Sequence, residues 1–234
     1  MGQMASIKPV VAWSRLVVRM SFFAITLLWP AGTLYWWEAW VVIALWGLYG
    51  IVMVPYLLKK DPGLLAERLK LVPINREQKS WDKIIMALFF VMGVALYVVP
   101  GFDVVRFGWS DPLPLWMKIS AMLLHLPCFM LLGWIMHENT YLSQVVKIDL
   151  DREHKVITTG PYARVRHPMY TVVIVLLVAV PVALGSRYAL VPAVLLILLL
   201  IVRTVLEDRT LRRELDGYEE YTTRTPSRLF PGVW

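Results

Sequence analysis

The stretch GPYARVRHPMY, Gly160 to Tyr170, sets two tyrosines, two arginines and a histidine directly ahead of the apolar run TVVIVLLVAVPVALG. Pro161 and Pro168 restrict the residues before them, so Gly160-Pro161 and His167-Pro168 read as fixed turns, with Pro168 opening a helix. Such a turn points backbone N–H groups and the positive end of a helix dipole toward His167 and Tyr162, a pocket for a carboxylate or another anion. A basic flank beside a membrane span accounts for Arg164 and Arg166 equally well, but it leaves Tyr162, His167 and Tyr170 unexplained. Further on, Arg203 and Glu207 stand four residues apart and share a helix face, either as a simple ion pair or as a working pair. Arg203 follows LLILLLIV, a place where a charged side chain is expensive without a partner or a task.

Other chemistries lack their residues. There is no GxGxxG after a strand, no GxxxxGK[ST], no HExxH and no CxxC pair, which argues against dinucleotide, P-loop and common zinc sites. His125 and His137 read as packed or interfacial, since no second ligand stands at i+3 or i+4, and no metal is expected. Cys128, the single cysteine, reads as a small packed hydrophobe.

These residues must be positioned by a membrane protein. The 234 residues are 58% hydrophobic with a mean hydropathy of +0.59, too apolar for an ordinary soluble domain. Apolar runs at 14–36, 40–58, 84–104, 115–137, 169–185 and 188–206 predict an all-α, polytopic bundle of six spans. The last two form a short helical hairpin over 169–206, joined at Gly185-Ser186-Arg187. The net charge of +7 is concentrated in 1–19, 59–83, 138–166 and 207–234. An even number of spans places these regions and both termini on one face, which the positive-inside rule makes cytoplasmic. The basic surplus then serves topology and contact with anionic membrane lipids, and no nucleic-acid partner is expected. Tyr35, Trp36, Trp37, Trp40, Trp109 and Trp116 fall at the opposite interface as an aromatic belt. The loop 59–83, with Leu64, Leu65, Leu69 and Leu71 among charges, suits a short amphipathic helix on the membrane surface. The organisation expected is an N-terminal part, 1–137, of four spans and that loop, followed by a catalytic part, 138–234.

From Asn139 to Trp234 the chain resembles the isoprenylcysteine carboxyl methyltransferase family, with part of the pattern shared by phospholipid N-methyltransferases. The likeness rests on VVKIDLDREHKVITTGPYARVRHPMY, RTVLED and DGYEEYTTRTPSRLFP. It implies S-adenosylmethionine in a cytoplasmic pocket closed by the C-terminal segment, and a lipid-like methyl acceptor entering from the bilayer. By motif, His154, Lys155, Val156 and Ile157 line the cofactor with Tyr162 beside it. His167, Pro168, Met169 and Tyr170 supply the turn that holds it, and Glu207 binds its polar part. Lys147 stands where eukaryotic members have a cofactor-contacting glutamine. Arg203 matches an arginine associated with the acceptor, and Glu207 or His167 is available as a base if that acceptor is an amine. N- or S-methylation of a phospholipid or small molecule, and an NADPH-dependent reductase of sterol type, are the alternatives.

Overall fold

The computed structural model describes residues 7–70, 78–142, 144–145 and 155–234, which are helical and contain no strand. Helix α1 spans Pro9–Ala31, α2 Trp37–Lys60, the short α3 Pro62–Arg68 and α4 Ser80–Pro100, which runs on into a π-helical turn over Gly101–Phe107. Then come α5 (Leu115–Glu138), a 3-10 turn (Gly160–Ala163), α6 (Pro168–Leu184), α7 (Leu190–Glu214) and α8 (Tyr218–Arg224). Five helices are long and apolar enough to cross a membrane: α1, α2, α4 with its π-helical turn, α5 and α7. The sixth expected span is present as α6 but has 17 residues, about 26 Å of helix.

The long helices alternate in direction, so their ends gather in two layers. One holds the turns after α1, α4 and α6. There the fully buried Asp103 accepts from Ser186 Oγ at 2.5 Å and from Ser110 Oγ and Ser110 N at 2.7 Å each. Lys118 bonds Glu38 at 2.6 Å in the same layer. Ser186 reaches that layer because Gly185, at φ +81°, closes α6 with its N–H on the carbonyls of Pro181 and Val182, a left-handed cap that glycine takes without strain. Tyr35, Trp37, Trp40, Trp109 and Trp116 are exposed in this layer. Trp36 departs from the expected belt: it is buried with Leu27, Ala39 and Leu184.

Much of the bundle's outside is apolar, with Val10, Trp29 and Met130 each more than three-quarters exposed, which suits lipid and not water. Lipid offers helices no hydrophobic drive to associate, so close packing and polar locks at the helix ends must hold the bundle together. The loop after α2 also departs from expectation. Leu64, Leu65 and Leu69 do not lie on the membrane surface; they are buried against Leu16, Val54, Leu57 and Met136, because α3 folds back under α1 and α2. Asp61 caps it, accepting from Leu64 N at 2.8 Å. Leu71 lies outside the described residues.

Asp103→Ala should strip the far layer of its shared acceptor and leave the buried Ser186 O–H without the carboxylate to which it donates. A loss of about 2–3 kcal/mol is expected, read as a lower thermal midpoint in detergent with the helix content of the native state unchanged.

Candidate active site

The opposite layer is built around one carboxylate. Asp208, on α7, is 1% exposed and takes the guanidinium of Arg166 in a fork, Nε to Oδ1 at 2.9 Å and Nη2 to Oδ2 at 3.2 Å. Arg228 Nε donates to Oδ2 at 3.2 Å and the Tyr218 hydroxyl to Oδ1 at 3.0 Å. His167 Nε2 stands 3.6 Å from Oδ1 and is buried without a hydrogen bond. The third edge of Arg166 donates from Nη1 to the carbonyls of Thr225 and Pro226, both at 2.9 Å. Paired charge of this kind is tolerated in a buried place because the carboxylate takes four hydrogen bonds and all three guanidinium nitrogens of Arg166 donate.

The same contacts strap the C-terminal segment over the start of α6. Arg166 N donates to Ser227 O at 3.0 Å, His167 N to Arg228 O at 2.9 Å, and Thr171 Oγ1 to Leu229 O at 2.6 Å. The turn therefore presents fewer N–H groups than the sequence suggests. Two are taken by the strap, Pro168 has none, and those of Tyr170 and Thr171 return to His167 O. Arg166 is likewise no lipid-facing flank: it is 4% exposed and forms the core of the site.

Against the first turn of α6 lies a pocket walled by the segment after α5 (Asn139, Tyr141, Leu142), the 3-10 turn, α6, α7 and α8. Of the residues expected there, Lys155, Val156, Ile157, Tyr162, His167, Pro168, Met169, Tyr170 and Glu207 all line it. Lys147 and His154 lie outside the described residues. The rings of His167 and Tyr170 stack at 5.6 Å with only 4° between planes, as residues three apart on a first helical turn can. The Tyr170 hydroxyl donates to Glu207 Oε2 at 2.5 Å. Tyr162 receives Asn139 Nδ2 on its hydroxyl at 2.9 Å, and its carbonyl accepts from the Tyr221 hydroxyl at 2.6 Å. Gly160 starts this corner at φ +57°, where a Cβ would stand 2.8 Å from Glu138 Cγ, so only glycine fits. Burial pushes the hydroxyls of Tyr162 and Tyr218 above the usual tyrosine range and that of Tyr221 up to about 12. They stay protonated, as donors and π faces.

Arg203 does not lie in the pocket wall, and its side chain does not close on Glu207. It donates from Nε to Asp82 Oδ1 at 2.9 Å and from Nη2 to Gln144 O at 2.9 Å, with its guanidinium carbon 5.7 Å from the centre of the Tyr170 ring. It forms the charged floor beneath that ring. Sequence reasoning overlooked Asp208, Asp82, Tyr218 and Tyr221. Asp208 stands beside Glu207 in RTVLED, and its readable signal was a second acid next to the first. Asp82 is 121 residues from its partner, and no local pattern couples them.

Asp208→Ala should leave Arg166 and Arg228 without their shared anion and cost about 3–5 kcal/mol, seen as a large fall in thermal midpoint in detergent. Asp208→Asn, which retains an acceptor, should lose less.

Residues 120–213, from within α5 to the end of α7, match the model of the isoprenylcysteine carboxyl methyltransferase (ICMT) family. The match takes in Tyr162, the His167–Tyr170 turn, Arg203, Glu207 and Asp208, and stops before α8 and the strap. No curated protein matches the chain. The chain is a multi-pass integral membrane protein that carries, over residues 120–213, an ICMT family methyltransferase domain.

Proposed function

We propose that the protein transfers the methyl group of S-adenosylmethionine to the carboxylate of a lipid-like, isoprenylcysteine-type acceptor at the pocket against the first turn of α6. The observation that carries this reading is the convergence of an acid, stacked aromatic rings and an unsatisfied buried histidine nitrogen on one pocket, with the guanidinium of Arg203 under its floor. Bound there, the cofactor supplies an electrophilic methyl group on a cationic sulfur.

The pocket's residues fit a cationic, amphipathic ligand of that kind. Glu207 keeps Oε1 for an ammonium group while Oε2 holds Tyr170. The ring faces of Tyr162, Tyr170 and Tyr221 favour a positive sulfur. Val156, Ile157, Leu211 and Leu215 supply apolar wall for a heterocycle. His167 Nε2, buried 3.6 Å from Asp208, is placed to donate an N–H to a carboxylate. Displacement at a methyl carbon needs alignment and exclusion of water more than proton transfer. A carboxylate acceptor arrives already ionised and asks for no general base. Tyr218 and Tyr221 of α8 close the pocket on one side, and Pro168, Met169 and Tyr170 of α6 on another.

Orientation follows from charge. The layer holding Arg68, Lys70, Arg166, Arg212 and Arg228 faces the cytoplasm in this reading. Cysteines introduced at Asp111 and Glu219, both exposed and at opposite ends, should report it. A membrane-impermeant thiol reagent on intact cells should label Asp111→Cys and spare Glu219→Cys.

The activity is tested with protein in lipid nanodiscs, methyl-labelled S-adenosylmethionine and a membrane extract as acceptor. Lipid-phase label released as methanol by mild base is expected; base-stable label would mean methylation at nitrogen, sulfur or carbon instead. Glu207→Ala should weaken cofactor binding by calorimetry roughly tenfold or more, the scale of a lost charge-assisted hydrogen bond; undiminished affinity would remove Glu207 from the cofactor site.

A further inference from the structure

Arg68, the last residue of α3, lies outside the residues matched by the family model. Its guanidinium reaches across the bundle to Met169, with Nη2 3.2 Å from Sδ. Met169 and Tyr170 are consecutive in the first turn of α6 and both line the pocket. Arg203 lies under the ring of Tyr170, so two guanidinium groups flank one helical turn, Arg68 beside Met169 and Arg203 beneath Tyr170.

The two are differently provided for. Arg203 has Asp82 as its anion. A thioether is a weak acceptor, and among the described residues no carboxylate lies within ion-pair distance of Arg68. Around it stand the neutral hydroxyls of Tyr49, Tyr170 and Tyr162 and the cations Arg203 and Arg19, and burial lowers its hold on its proton. A partly buried cation in this state lacks the compensation that such charges normally need.

Its position is built. Gln144 Nε2 donates to the carbonyls of Glu67 and Arg68, at 2.7 and 2.8 Å, while Gln144 O accepts from Arg203. Arg19, on α1, donates to Lys70 O at 2.8 Å. The end of α3 is thus tied to α1 and, through Gln144, to Arg203. Tyr49, one of the groups around Arg68, stacks on Phe129 at 4.7 Å and Phe129 meets Trp46 at 5.0 Å, an aromatic cluster packed in the core beside it.

We propose that Arg68 binds the acceptor's carboxylate, holding it beside Met169 at the edge of the cofactor pocket. This rests on the carboxylate-acceptor reading above and adds the residue that recognises the carboxylate. A planar fork matches a carboxylate in two bonds where lysine offers a point charge. Arg203, already held by Asp82, adds positive potential from below.

Equilibrium binding tests this without turnover. The probes are an N-acyl S-prenylcysteine as the free acid and as its carboxamide, added to nanodisc-embedded protein saturated with S-adenosylhomocysteine, whose own binding certifies that each variant is folded. The native protein should prefer the acid by roughly tenfold or more, the scale of a charge-assisted pair. Arg68→Gln should reduce that preference to within about twofold, with Arg68→Lys between them and S-adenosylhomocysteine affinity unchanged in both. Preference for the acid that survives in Arg68→Gln overturns the assignment, as does its absence from the native protein. A fall in S-adenosylhomocysteine affinity matching the loss would overturn it too, moving Arg68 to the cofactor's own carboxylate. Base-labile methyl transfer combined with any of these results would remove Arg68 and leave the carboxylate-acceptor reading standing, whereas base-stable transfer would remove that reading whatever Arg68 binds.

Discussion

The carboxylate of Asp208 is the constraint on which this end of the molecule depends. It joins four pieces of chain that local propensity would leave independent: the turn before α6 through Arg166, α7 on which it sits, α8 through Tyr218 and the strap through Arg228. Removing a carboxylate from water is costly unless its lone pairs are filled, and here four hydrogen bonds from three side chains fill them. Satisfying Asp208 pulls the strap across the first turn of α6, whose other side walls the pocket. Arg166 and His167 then hold that strap through their backbone N–H groups, which are consequently unavailable to a ligand. The positive character left for an anion comes from side chains instead.

A division of labour follows along α7. Arg203, Glu207 and Asp208 occupy about one and a half turns, and each carries a different kind of contact. Arg203 is neutralised across the bundle by Asp82, Glu207 keeps one oxygen free above Tyr170, and Asp208 is consumed by structure. Two adjacent acids thus have unlike tasks, set by the faces on which they emerge. The i,i+4 relation between Arg203 and Glu207 placed both on the site side of the helix, but Asp82 offers Arg203 a fully buried partner with good geometry, and that contact prevails.

Much of this was legible in the sequence. Apolar runs of membrane length gave the helices, because lipid forces every backbone group into internal hydrogen bonds and leaves the chain few options. The turn residues Pro161, Pro168 and Gly160 marked where α6 begins and where the chain must bend, and nine of the residues expected around a cofactor line one pocket. What escaped were interactions that depend on distant partners. Arg166 in a basic loop looks like any positive flank until Asp208, 42 residues on, is seen opposite it. The leucines of α3 carry the pattern of a surface amphipathic helix, and nothing local says whether lipid or protein covers them. Trp36 is buried and its neighbours Tyr35 and Trp37 exposed, a distinction set by how α2 turns against α1.

The 17 residues of α6 carry one more implication. An apolar cylinder of about 26 Å is shorter than the roughly 30 Å of hydrocarbon in an ordinary bilayer. At one end α6 is covered by the strap and at the other by the Asp103 cluster, so any lipid lying along it meets polar protein before its own headgroups would. Nine of its 17 residues are buried in the bundle, so α6 meets little lipid itself. A helix at the short end of membrane-spanning length can therefore sit among longer neighbours, with the mismatch taken up by protein at both of its ends.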